Sequence, residues 1–117
     1  MMLTAITDYG WPPHQLHPLL ETSEAVQARQ FALEAAVEAD EAPTVMLDPR
    51  QFIPTQRCID TLVLQGLVGV EFVPAVIVIR WRGKLYIHDG HHRATRALLD
   101  GGRVRSVIFD PNEEEVR

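Results

Sequence analysis

The residues of this chain best able to do chemistry stand together at His88-Asp89-Gly90-His91-His92-Arg93, where three of the five histidines fall beside a carboxylate and a glycine. Imidazole and carboxylate groups move protons or bind metal, arginine pairs bidentately with oxyanions, and glycine lets a ligand approach the backbone. The stretch reads as the end of a buried strand, a tight turn, and the start of a helix that runs to Leu99. The first amides of a helix lack intrahelical acceptors and lie at the positive end of its dipole. Gly90, the amides of His91 and His92, and Arg93 therefore describe a phosphate-binding turn. In that reading Asp89 orients Arg93 or holds Mg²⁺ through water. If phosphate is hydrolysed or transferred, Asp89 or His91 is the general base.

A metal ion is a second reading of the same residues, because His88, Asp89, His91 and His92 are all competent ligands for zinc or a similar ion. Adjacent residues on a helix diverge by roughly 100°, so His88, Asp89 and His91 make a better set than His91 with His92. A third reading is structural, with Asp89 as a turn residue, His88 as a buried imidazole with one hydrogen bond, and Arg93 as an ion-pair partner. Cys58 is the lone cysteine, which excludes an internal disulfide and a cysteine metal knuckle. It reads as a packed helix residue.

Positioning these groups is the task of one domain, since 117 residues with 46% apolar and 23% charged composition suit a single core. The net charge of -5 opposes sequence-independent binding to a nucleic-acid backbone. The first residues show no basic stretch leading into an apolar run, and no apolar run approaches the roughly 20 residues of a membrane-spanning helix. A soluble, cytoplasmic protein without membrane contact is expected.

Residues 8–19, rich in proline, read as an irregular arm in which Trp11 covers apolar surface while His14 and His17 are solvated. Thr22 or Ser23 caps a helix over Ala25 to Ala39, whose thin stripe of Val26, Gln30, Leu33 and Val37 suits a domain edge or another subunit. Thr44 to Leu47 forms a strand stopped by Asp48-Pro49. A second helix, capped by Thr55, is expected through Leu67, with Gln56 and Arg57 in its first turn, Cys58 inside it, and Ile59, Leu62 and Val63 facing a sheet. Ala75 to Ile79 and Leu85 to Ile87 make a hairpin around Gly83, and Val104 to Phe109 is the last strand. Apart from the first helix, the order is β-α-β-β-α-β, an α+β sheet with helices against it. The expected divisions are an arm and helix over 1–43, a domain over 44–110, and an acidic tail over 111–117.

Asp89-Gly90-His91-His92-Arg93 with its short Ala/Leu-rich helix and Gly101-Gly102, preceded by the hairpin, Asp48-Pro49 and Pro54-Thr55-Gln56, resembles the ParB/sulfiredoxin superfamily. More narrowly, it is similar to the stand-alone ParB-like nuclease domain proteins of bacteria and phages. The resemblance implies a nucleotide, such as ATP or CTP with Mg²⁺, bound at Gly90, His91, His92 and Arg93, with Gln56 and Arg57 facing the phosphates. His91 stands where sulfiredoxins carry their catalytic cysteine, so the resemblance implies no sulfinic-acid reductase activity. Where ParB has glutamate and arginine this chain has His91 and His92, and the DNA-reading helices of ParB would follow the last strand. Sequence-specific DNA binding is therefore not expected. Two further expectations are a metal-dependent nuclease using His88, Asp89 and His91, and a non-enzymatic phage or mobile-element accessory protein. The latter would bind a host protein, or pair as a homodimer, through the N-terminal helix.

Overall fold

A computed structural model describes residues 2–18, 23–69 and 74–112. In chain order these form β1 (Leu3–Ala5), a 3₁₀ turn, α1 (Glu24–Glu38), β2 (Val45–Leu47), β3 (Phe52–Ile53) and β4 (Cys58–Asp60). They continue through α2 (Thr61–Gly66), β5 (Val76–Trp81), β6 (Lys84–Asp89), α3 (His91–Leu99) and β7 (Val104–Phe109). The class is α+β. Thr22, the alternative cap of the first helix, and the acidic residues of the tail lie outside the described residues.

The run of β-branched residues in β5 makes it the centre of a five-stranded mixed sheet of order β2-β7-β5-β6-β3. Successive side chains of a strand point to opposite faces, and β5 divides accordingly. Val76 and Val78 join Ile87, Phe52, Ile59, Leu64, Trp11 and Ala94 on the face covered by α2 and α3. Ile77 and Ile79 join Val107 and Phe109 on the other face, against Val26, Leu33 and Val37 of α1. The thin stripe of α1 is thus spent on the sheet, and its Ser23 side chain accepts the Val26 N–H as the N-cap. The β5–β6 turn forms at Arg82-Gly83, both with positive φ (51° and 78°), as a tight hairpin requires.

The second helix departs from expectation. Residues Cys58–Asp60 are a strand, paired antiparallel with β1 through Leu3↔Asp60 and Ala5↔Cys58. Helix α2 begins only at Thr61, capped by the Asp60 carboxylate, which accepts the Leu62 N–H at 3.0 Å. The Asp60 amide, which a helix from Thr55 would have used, is instead taken by His92, and the Thr55 amide is taken by His91. Cys58 is accordingly a strand residue, and Leu62 and Val63 are exposed while Ile59 and Leu64 are buried. Pairing of β1 with β4 also builds the N-terminal residues into the same core as the sheet.

Candidate functional site

Strand β6 delivers the motif through an irregularity that its sequence does not announce. The β5–β6 register runs Val78↔Ile87 and then Ile77↔Asp89, which leaves His88 as the extra residue of a bulge. Bulges bend a strand and re-aim a side chain, and His88 is turned toward the arm and α1. Gly90 then adopts φ 102°, and α3 starts without any side-chain cap. The amides of His91, His92 and Arg93 thus open on a cleft of about 400 Å³ lined by Thr55, Gln56, His88, Asp89, Gly90, His91, His92 and Arg93.

The two histidines of α3 face inward. His91 is buried, and its Nε2 accepts the Thr55 N–H at 3.0 Å. Burial, with a smaller contribution from the neighbouring His92, pushes the His91 imidazole down to about 4, so it is neutral near pH 7. His92 Nε2 accepts the Asp60 N–H at 3.0 Å, and burial lowers this imidazole too. The Thr55 hydroxyl donates to the Ile87 carbonyl at 2.7 Å, which completes the seam between the 55–60 segment and the motif. Each histidine therefore spends its Nε2 lone pair on a backbone amide, and a general-base role for His91 would have to use Nδ1.

Arg93 is folded over Gly90. Its Nη1 donates to the Pro74 carbonyl at 2.6 Å, and its Nη2 lies 3.3 Å from the Asp89 carboxylate. The positive φ favours glycine, and a Cβ on residue 90 would stand 2.8 Å from Nη2, so a side chain there would displace the guanidinium packed on it. Asp89 is exposed at the rim, with its carboxylate toward Arg93. Gln56 lines the cleft, with its amide donating to the Cys58 carbonyl, whereas Arg57 is exposed and does not line it.

His88 belongs to another assembly. Its Nδ1 lies 2.7 Å from Nε2 of His17 in the arm, and its Nε2 meets the Glu34 carboxylate and, at 3.0 Å, the Gln30 amide of α1. With both ring nitrogens engaged, and with His91 Nε2 on Thr55, no group of three His, Cys, Asp or Glu side chains among the described residues is placed to hold a metal ion. His17, expected in solvent, is half-buried, and burial and the charge of His88 lower its pKa. His14 is exposed. The sequence offers one signal for this cluster: Gln30 sits on the inward stripe of the first helix, and Glu34 follows it one turn later.

The arm reaches His88 by a chain of anchors. Trp11 is buried and donates Nε1–H to the Thr95 hydroxyl at 2.9 Å, and that hydroxyl donates to the His91 carbonyl at 2.7 Å. Gln15 N–H donates to the Pro54 carbonyl at 3.0 Å, and the Tyr86 hydroxyl donates to the Gln15 side chain at 3.4 Å.

Comparison with protein-family models and with curated proteins gives no match. Among solved structures the chain is similar to sulfiredoxin from Arabidopsis thaliana, at 18% identity with a TM-score of 0.47, over 59% of this chain and 86% of that one. No helix among the described residues is long and apolar enough to cross a membrane.

Proposed function

We propose that the cleft at the start of α3 binds the phosphates of a nucleotide, ATP or CTP with Mg²⁺, through the amides of His91, His92 and Arg93. The observation that carries this reading is a nine-residue helix whose first amides have no side-chain cap and face a polar cleft. Such amides, at the positive end of a helix dipole, gain most from an anion. Gln56 and Thr55 supply further polar contacts from the facing segment. The motif resemblance of Gly90 and Arg93 to ParB-like nuclease domain proteins favours the same ligand class.

The inward seats of His91 and His92 favour binding over hydrolysis, since both act as acceptors for the scaffold. Asp89 is the exposed carboxylate left to hold a hydrated Mg²⁺ or to take a proton. Arg93 would exchange its contact with Asp89 for a phosphate oxygen while Nη1 keeps the Pro74 carbonyl.

A thermal-shift screen with ATP, CTP, GTP and ADP, each with and without Mg²⁺, tests the reading. Stabilisation by at least one nucleotide, reduced in Gln56→Ala and in Arg93→Ala, is the expected outcome. No shift with any nucleotide, or an undiminished shift in both variants, defeats it.

A further inference from the structure

The cleft at Gly90 is not the molecule's only concavity of ligand size. A second cleft, of about 480 Å³, lies between the C-terminal end of α2, the outer face of α3 and the beginning of β7. Arg93, Arg96 and Ala97 line it from α3 at helical spacing with Asp100 just beyond its end, and Arg103, Val104 and Arg105 line it from the loop and strand that follow. Leu67 and Val68 form the wall opposite.

Its charge runs against that of the chain. Four of the eleven basic residues converge on this cleft, with Asp100 as the one lining carboxylate among the described residues, whereas the protein as a whole carries -5. Guanidinium groups drawn together repel, and the ion pairs that answer them are of the weakly stabilising surface kind. Arg96 meets Asp100 at 2.9 Å one turn along α3, and Arg105 meets Asp40 at 3.0 Å. Arg103, at the mouth, is exposed. Val68, a large aliphatic side chain on the opposite wall, is 66% exposed. Arginines on one side and an apolar wall on the other complement an anion that carries an apolar body.

We infer that this cleft is a second binding site, separate from the α3 amides, for a small organic oxyanion whose phosphate or carboxylate meets Arg96, Arg103 and Arg105. Its apolar end covers Leu67, Val68 and Ala97. The volume falls within the range of small-molecule pockets, which favours a discrete ligand over a peptide segment.

Amide chemical-shift titration of the full chain with phenyl phosphate, benzoate and inorganic phosphate tests the inference. Phenyl phosphate or benzoate should shift the amides of Gly69, Gly102, Arg103 and Val104 in a saturable way, and whichever binds tighter identifies the anionic group. Inorganic phosphate should bind more weakly than the better of the two, because it leaves the apolar wall uncovered. Arg103→Glu, at an exposed position, should weaken binding by about tenfold, the loss expected for one charge-assisted contact, while Arg103→Lys retains most of it. Absence of shifts with both organic anions overturns the inference. Unchanged binding in Arg103→Glu does so too, as does inorganic phosphate binding as tightly as the better organic ligand. Shifts confined to residues 90–93 and 55–56 also overturn it while leaving the nucleotide reading intact.

Discussion

Two pairs of histidines, His91 with His92 and His17 with His88, lie close together in this molecule and are built on opposite principles. In the first pair both residues come from one helix and each accepts a backbone N–H from the 55–60 segment, so the imidazoles work as neutral pegs that hold that segment extended. In the second pair the residues come from the arm and the bulge of β6, and they bond to each other and to a carboxylate of α1. The first pair is part of the scaffold on which the cleft stands. The second ties three separate elements together through polar groups alone. Adjacency in sequence thus marks a structural seam, while the histidine that lies 71 residues from its partner enters a polar cluster joining the arm, β6 and α1.

The comparison breaks most visibly if the arm is cut loose. Trp11→Ala removes a buried aromatic side chain from the core and the donor to Thr95, with an expected loss of about 4 kcal/mol in urea unfolding. Trp11→Phe keeps most of the packing and loses the hydrogen bond, for about 1 kcal/mol. The arm should then detach from His88 in the alanine variant, seen as a change in the His17 and His88 ring resonances with those of His91 and His92 retained. If all four histidines shift together, the two pairs are not independent.

Acid tests the first pair by a smaller energy. Because the folded His91 titrates at about 4 instead of the usual 6.5, the unfolded chain binds the extra proton between those values. The contribution of neutral His91 is therefore fully present above pH 6.5 and is lost as pH falls toward 4, by about 3 kcal/mol in all. His17 and His92 are lowered as well and add to the same slope. His91→Gln supplies a non-titrating acceptor, so its stability profile over this window should flatten by about one proton relative to the wild type. An unchanged slope in His91→Gln would show that other groups carry the acid response.

How much of this is legible in the sequence depends on what kind of force places each residue. The β-branched run of β5, the Gly83 turn, the span of β7 and the helix from His91 rest on local patterning, and they stand where the spacing puts them. Residues 55–60 carry the spacing of a helix through Thr55, Ile59, Leu62 and Val63. Their extended form depends on β1 and on two imidazoles more than thirty residues away, neither of which periodicity can report. The motif is visible as sequence, along with the glycine turn and the contact of Asp89 with Arg93. What the motif residues touch is not: His91 and His92 turn inward, and the bulge that re-aims His88 lacks a glycine or proline at the bulged position to mark it.

The smallest expected effect gives the sharpest test of the second pair. Glu34 is about one-third exposed, so its contact with His88 adds little to stability, and Glu34→Gln should change unfolding by about 1 kcal/mol or less. The tautomer is a better readout than the energy. A carboxylate at Nε2 requires a proton on that nitrogen and leaves Nδ1 as the acceptor for His17 Nε2–H, so ring nitrogen spectra of the wild type should report His88 as the Nε2–H form. The carboxamide introduced by Glu34→Gln can present either its oxygen or its NH₂ group to the same nitrogen, which removes that constraint. The variant should therefore show a mixture of His88 forms, with the His91 and His92 tautomers unaltered because their partners are backbone amides. If His88 is already mixed in the wild type, Glu34 does not set its tautomer, and His88 is a bridging residue like His91.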